Sequence, residues 1–575
     1  MNKEEYYELK SIYEKEGQAL AWNISNILRG RNVGDICMIT ASAYVLYRAC
    51  EETINVDSIE SFCETAAIAE DRVEFLYNYL GEVWQMVAGQ RYRYNPNVLK
   101  SVILFYDNKD RSDNCYKTPD SLLSLSSRLL SIKDDDKVAD FGSGVGSFII
   151  ESYLDNPKPS YTGIDHNADV LGVASIRFEI LGCNFYSEHT NVFELDPTVN
   201  KYDKIFSNYP IGLRIKDMGY ERYRLMQGIL SKTNAFSKGS SSDWFFNAAI
   251  MECLKDNGKA VVIISNGSTW NIADRAARKY FIENGYIEAV ISLPERMFEL
   301  FNIPTTMVVL SHNNDKVMLV DATNICEKGR RYNTFTQSQI GKIHFSADNP
   351  TEQSRYVNIE EFAENDYVIN PTRYLTEKIV VENGNAFDTI IKSISRGAPL
   401  KASDLDALVS EEPTDYQYLT LSNIQKGQID DNLPYIKGIE DSQKKYCIKN
   451  HALILSKNGA PYKVAVAEVP DGKYILASGN LYVIDIDETK ANPYYVKIFL
   501  ESGKGIALLK SIAVGATIPN IGVEALKKIS IPIIPLEEQE VIVEKYMAKI
   551  SEIRVLQNRL EQAYEDLSRL YDDEA

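Results

Sequence analysis

Along the first part of the chain, apolar residues recur every three or four positions, as in EFLYNYLGEVWQMV, with few β-branched runs and little Gly or Pro. This spacing predicts a helical domain over residues 1–110. From Lys117 the texture changes. Short apolar runs, KVADFG, YTGIDH, YDKIFSN, GKAVVIIS, IEAVISL and TTMVVLSH, alternate with amphipathic stretches such as SSDWFFNAAIMECLKD. Apolar runs of this length belong to strands buried on both faces, and their alternation with helices predicts an α/β domain, residues 111–378, built on a mostly parallel sheet. Ligands in such sheets bind beyond the C-terminal ends of the strands, so the loops after these runs are where chemistry is expected.

Past VINPTRYL the strands are interrupted by Gly, Asn and Asp turns. YLTLSNIQKGQID, HALILSKNGAPYKVAVAEV, KYILASGNLYVIDID and ATIPNIGVEALKKISIPIIPLEEQ predict a β-rich domain over 379–535. In the last segment Val543, Tyr546, Ile550, Ile553, Gln557, Leu560, Tyr564, Leu567 and Tyr571 fall at alternating three- and four-residue steps, the spacing of a coiled-coil seam. One long helix over 536–575 follows. It either pairs with a second copy, in which case a buried Gln557 fixes the register, or folds back on its own chain.

Composition adds bounds to this outline. A chain of 575 residues is too long for one core, and 45% hydrophobic with 25% charged residues is ordinary for a globular protein. No apolar run is long enough to cross a bilayer and MNKEEYYELK has no apolar signal core, so a cytoplasmic location without membrane contact is expected. The formal charge of -19 argues against binding nucleic acid over the whole surface and leaves only a local basic face for that role. Eight cysteines and five histidines are scattered singly, which predicts reduced thiols and no metal site.

The first candidate for chemistry is DFGSGVGSF, which follows the run KVAD. Gly142 and Gly144 let a ligand approach the backbone, and the helix that begins there offers free N–H groups. Many strand-to-helix turns carry glycines; the acid before them is more telling. A phosphate loop has no use for a carboxylate at Asp140, whereas a cationic amino-acid group does. The next run ends at Asp165, where a carboxylate accepts from ribose hydroxyls, and Asn191 and Phe193 in TNVFELD are placed to flank an adenine ring. These residues together suit a nucleoside cofactor that lacks a diphosphate.

TPDSLLSLSSRLL, VADFGSGVGSFIIES, TGIDHN, TNVFELD, FSNYPIG, SSSDWFFNAAIMECLKDNGKAVVIISNG and IEAVISLPERMFELFNIPTTMVVL, taken in order, resemble the modification subunits of type I restriction-modification systems over most of residues 1–375. The resemblance implies a Rossmann-like methyltransferase core that uses S-adenosylmethionine to methylate adenine N6 in double-stranded DNA. Residues 390–575 resemble half of a type I specificity subunit, a DNA target recognition domain followed by its long helix. Fusion of the two implies a methyltransferase with its own DNA reader, acting as a homodimer through the helix or with separate restriction and specificity subunits. Carried over by position, Thr118 and Pro119 resemble the motif lining the methionine end of the cofactor, Asp140, Gly142 and Gly144 the loop beneath it, Asp165 the ribose ligand, and Asn191 stands where an Asp often faces the cofactor adenine.

The resemblance departs from its pattern at FSNYPIG. The family carries Asn-Pro-Pro-aromatic there: the Asn carbonyl and a backbone carbonyl accept the two amine hydrogens, and the aromatic ring stacks on the flipped base. Here Asn208 and Pro210 are kept, while Tyr209 replaces the first Pro and Ile211 the aromatic residue. Two expectations follow from the four residues Asn208, Tyr209, Pro210 and Ile211. Either they form a working variant of the loop, with Tyr209 turned inward or a residue elsewhere stacking the base, or the fold is a catalytically degenerate DNA-binding or regulatory protein.

Overall fold

Among the described residues nine strands build one sheet: β1 (Lys137–Phe141), β2 (Ser160–Asp165), β3 (Phe185–His189), β4 (Tyr202–Ser207), β5 (Leu254–Ser265), β6 (Ile287–Ser292), β7 (Thr305–Leu310), β8 (Lys316–Asp321) and β9 (Ser354–Asn358). Their spatial order is β3-β2-β1-β4-β5-β7-β6-β8-β9. All six runs singled out as buried strands are present. β8 carries a similar apolar run, Val317 to Val320, whereas β3 and β9 are the sheet's two edges and show no unbroken apolar stretch. Pairing is parallel from β3 through β5, and β7 enters antiparallel between β5 and β6. An antiparallel neighbour needs no crossover, and no helix is described between β6 and β7. The computed structural model describes residues 1–28, 35–50, 54–107, 117–213, 241–299, 302–375, 381–400, 404, 407–459, 461–514 and 520–573. They divide into two compact units, Met1–Leu375 and Thr376–Ala575.

The two-residue period of the strands separates two cores in the first unit. Ala139, Phe141, Ile164 and Ile205 face one apolar cluster, and Val138, Tyr161 and Phe206 face the other. The leader contributes α1 (Lys3–Ile27), α2 (Ile36–Arg48), α3 (Ile59–Thr65), α4 (Glu70–Leu80), α5 (Trp84–Ala88) and α6 (Pro96–Phe105). Its helix starts follow local chemistry: Asn2 and Glu5 form a capping box, and Asp35, Ser58 and Asn95 each accept from an N–H of the first turn. In the α/β part α7 (Asp120–Leu130), α8 (Ser147–Asp155), α9 (Ala168–Leu181) and α10 (Asp243–Cys253) flank the sheet.

The leader packs onto α9 through Tyr44, Phe75, Leu76, Val102, Ile103, Val173 and Ile176. Gly172 permits the approach, since a Cβ there would overlap the Phe75 ring. Arg177, 2% exposed, secures the same junction: its Nε donates to the Ile103 carbonyl at 2.9 Å and its Nη2 to the Tyr106 carbonyl at 2.7 Å. The guanidinium thus satisfies carbonyls at the end of α6 that the helix itself cannot. Leader and α/β core share one compact unit as a result.

The second unit holds a four-stranded sheet in the order Ile391–Arg396, Leu481–Ile486, Leu453–Ser456, Val464–Val466. Ile424–Gln425 and Gln428–Ile429 form a hairpin whose two turn residues, Lys426 and Gly427, have φ of +47° and +75°, as a two-residue turn that matches strand twist demands. Two helices that the strand-and-turn reading passed over, Pro493–Glu501 and Gly503–Ile512, start at the caps Asn492 and Ser502. Gly515 to Pro519 of the GATIPNI stretch lie outside the described residues.

The final helix runs Leu536–Asp573. Its start is held by the buried Gln539, whose Oε1 accepts from Asn492 N at 2.8 Å and whose Nε2 donates to the Ile534 carbonyl at 2.7 Å, and by Lys497 bonded to the Tyr546 hydroxyl. Val543, Tyr546 and Ile550 are half-buried. From Ser551 to Leu567 every side chain is exposed, Ile553, Gln557, Leu560, Tyr564 and Leu567 included, and the Tyr571 side chain lies outside the described residues.

Candidate active site

Strand order reverses between β1 and β4, and the crevice outside their C-terminal ends receives the loops after β1, β2 and β4. The β1 loop turns through Gly142, Gly144 and Gly146, whose φ values of +78°, +51° and +83° favour glycine. Gly142 N and Ser143 N donate to the Ile164 carbonyl at 2.9 and 3.1 Å, drawing the loop onto the end of β2. A Cβ on Gly142 would meet nothing within 4 Å, so the space above the loop is open.

Asp140 lies beneath this loop, 3% exposed. Burial, and then the Asp165 carboxylate, push its pKa well above the ordinary value, and among the described residues no donor reaches its side chain. Such a carboxyl lacks a cation. Asp165 is already engaged, its Oδ2 accepting from Gly144 N and its Oδ1 from Asn167 N, each at 2.9 Å. It therefore shapes the glycine loop as well as facing the crevice.

At the end of β4 the Ser207 hydroxyl donates to the Phe141 carbonyl at 2.6 Å, closing the gap between β1 and β4. Asn208 follows. Its Nδ2 donates to Thr118 Oγ1 at 2.8 Å, while its Oδ1 is buried and has no partner among the described residues. The amide is thus held by one end with its acceptor free. This bond also joins the start of α7, where Pro119 is the cap, to the β4 loop.

Tyr209 does turn inward, but not as a platform for a base. Its ring is 1% exposed and lies parallel to Phe246 of α10, with centroids 4.2 Å apart and an interplanar angle of 11°. Its hydroxyl donates toward the Asp243 carbonyl and Asn247 Oδ1, both at 3.1 Å, and burial raises its pKa well above the ordinary value. With one face stacked on Phe246 and almost nothing exposed, this ring cannot take a base. Ile211 is half-buried against the α7–α8 side of the sheet and Pro210 is exposed.

Two further expected residues are placed differently from a simple cofactor clamp. Asn191 Oδ1 accepts from Phe193 N at 3.1 Å and caps the short turn Val192–Glu194, which leaves its amide N–H groups toward other partners. The Phe193 ring, 3% exposed, packs in the core against Phe246 at 4.7 Å. Its expected flank on an adenine is occupied by protein. The reading from motifs missed Ser207, Asp243, Phe246 and Asn247. The last three stand in SSSDWFFNAAIM, where Asp243 and Asn247 share a helix face four residues apart.

Asp243 is enclosed by hydroxyls. Its Oδ2 accepts from Ser265 N at 3.1 Å, Ser265 Oγ at 2.8 Å and the Ser268 hydroxyl, and its Oδ1 is buried without a partner among the described residues. Burial raises its pKa to about 6 against these bonds, which lower it.

Residues 103–383 match the model of the N-6 DNA methylases, and residues 393–563 that of the type I restriction modification DNA specificity domain. A methylase subunit of a type I restriction enzyme from Methanocaldococcus jannaschii is 25% identical over 343 residues, covering 53% of this chain and 56% of the relative. One from Mycoplasma pneumoniae is 22% identical over 307 residues, covering 48% and 56%. The chain thus spans about half the length of these relatives. The crystal structure of a type I restriction-modification methyltransferase subunit from Streptococcus thermophilus superposes with a TM-score of 0.50 at 17% identity, covering 62% of this chain and 98% of that one.

Proposed function

From a chain whose residues 103–383 belong to the N-6 DNA methylases and whose residues 393–563 belong to the type I specificity domains, we propose a DNA adenine-N6 methyltransferase that carries its own target reader. The observation that carries the proposal is the Asn208 amide in the loop after β4, fixed by Thr118 with its buried Oδ1 unpartnered among the described residues. An exocyclic adenine amine is a poor nucleophile because its lone pair is delocalised into the ring. Asn208 Oδ1 accepts one amine hydrogen and the backbone carbonyl of Tyr209 the other, which draws the lone pair out of conjugation.

The cofactor we assign is S-adenosylmethionine. The Asp140 carboxyl, without a donor among the described residues, suits its ammonium, the open space over Gly142 its methionine chain with Gly144, Thr118 and Pro119 alongside, and Asp165 its ribose hydroxyls. When bound it supplies an electrophilic methyl carbon, whose transfer to N6 breaks the carbon–sulfur bond, leaves a neutral thioether and releases one proton from N6 to solvent. The remaining work belongs to the chain: Asn208 orients the amine, and Ser207 and Thr118 hold Asn208.

The second unit then reads duplex DNA. We assign the exposed seam of the last helix to a second long helix, from another copy or from a separate specificity or restriction subunit. Two copies joined there present two readers to a bipartite site.

The test is transfer of tritiated methyl from S-adenosylmethionine to unmethylated genomic DNA, with Asn208→Ala as control. Label in adenine that disappears in the variant while cofactor binding persists is expected. A second reading, a DNA-binding regulator without methyl transfer, is favoured by the sealed Tyr209 ring and the aliphatic Ile211, neither of which offers a stacking platform. No label from the unaltered protein, with cofactor and DNA both bound, would select it.

A further inference from the structure

We infer that the buried Tyr209 hydroxyl replaces the constraint of the missing proline, making Tyr209 the positioning residue for the backbone carbonyl that accepts the second amine hydrogen. The inference rests on the methyltransferase reading above and goes beyond it by assigning the variant residue a role. A proline at this position fixes φ and so limits where its carbonyl can point. Tyrosine has no such restriction, and a loop left free there would spread the acceptor over several orientations.

The structure supplies the restriction from the side chain. The Tyr209 ring is clamped parallel to Phe246, which itself packs on Phe193. At the far end of the ring the hydroxyl is shared between the Asp243 carbonyl and Asn247 Oδ1. A buried ring with a bonded tip has one rotamer. The two residues before it are fixed as well, Ser207 by Phe141 and Asn208 by Thr118. The Cα that carries the Tyr209 carbonyl is therefore pinned from the sheet on one side and from α10 on the other. Core packing alone accounts for a buried aromatic ring here. It does not require a hydroxyl, whose single hydrogen must find an acceptor on α10 to be tolerated at this depth.

Tyr209→Phe keeps the ring and removes only the anchor, and Asn247→Leu removes the side-chain acceptor at similar volume. The readouts are the single-turnover methyl transfer rate to unmethylated genomic DNA, the Kd for S-adenosylmethionine and the Kd for DNA. Because a misplacement of about 1 Å can lower a rate roughly 100-fold, Tyr209→Phe is expected to slow transfer by roughly tenfold to a hundredfold. Both Kd values should stay within about twofold, and the loss should shrink in the Asn247→Leu background, where part of the anchor is already gone. A Tyr209→Phe rate equal to that of the unaltered protein overturns the inference, as does equal loss in both backgrounds or a parallel loss of cofactor binding, which would mark Tyr209 as structural only. If the unaltered protein itself transfers no methyl group, the methyltransferase reading falls and this inference falls with it.

Discussion

Asp243 sets up a stability test that needs neither cofactor nor DNA. Its pKa is raised to about 6 by burial, whereas an unfolded aspartate titrates near 3.8. The folded state therefore holds a proton that the unfolded state has released, and stability falls as pH rises through the window from about 4 to 6. Two pKa units at about 1.4 kcal/mol each give a total of about 3 kcal/mol, of which about 2 fall between pH 4.5 and 8. Asp243→Asn removes this titration, and its amide oxygen keeps the acceptor for Ser265 and Ser268. All four tryptophans, at positions 22, 84, 244 and 270, lie in the first unit, so indole fluorescence during denaturant unfolding follows that unit alone. The expected result is a gap between variant and unaltered protein that shifts by about 2 kcal/mol in favour of the variant from pH 4.5 to pH 8. Asp274, Asp140 and Glu151, whose pKa values are also raised, titrate in both proteins and leave the difference to Asp243. A gap that does not move with pH would refute the placement of a protonated carboxyl at this site.

Arg177→Met should destabilise the first unit by about 2–4 kcal/mol, because it takes the buried donor from the Ile103 and Tyr106 carbonyls while Asp107 keeps Lys117 at 2.8 Å; a melt followed by the same indoles measures it. If Asp140 meets the ammonium of S-adenosylmethionine, binding releases up to one proton, since a cation lowers a carboxyl pKa that burial has raised, and affinity rises with pH through that titration. Calorimetry in two buffers of different ionisation enthalpy should show the release in the unaltered protein and none in Asp140→Asn, whose affinity should fall roughly ten- to hundredfold. Ending the chain at Ile550 removes the exposed seam; light scattering should show a self-associated full-length chain and a monomeric shortened one, and equal masses per chain would exclude self-pairing through this helix.

Much of this architecture is legible without coordinates because it is written in periods. Runs such as VVII and MVVL must lie in a sheet covered on both faces, and the glycine loop between Asp140 and Phe148 must turn where β1 ends. A step of three and four residues carried from Val543 to Tyr571 can only be one helical stripe, and the final helix has that form. The edge strands β3 and β9 escaped because an edge needs no unbroken apolar run. The helices at 493–512 escaped because their apolar residues stand among strand signals and their caps, Asn492 and Ser502, are also turn residues.

What the sequence determined by itself was the series of loops: which residues follow which strands, and therefore that Asp140, Asp165 and Asn208 converge at one end of a sheet. Tertiary structure decided what each of them does there. Thr118 and Asn208 are 90 positions apart, and only strand order brings the hydroxyl to the amide. Tyr209 is a departure from a motif when read along the chain. In the folded protein it is a ring stacked on Phe246 with its hydroxyl on α10, because a tyrosine beside a buried helix gains more from apolar contact and two acceptors than from facing an open crevice. Local sequence specifies the path of the backbone, but the direction of a side chain between crevice and core is set by neighbours that the chain supplies from far away.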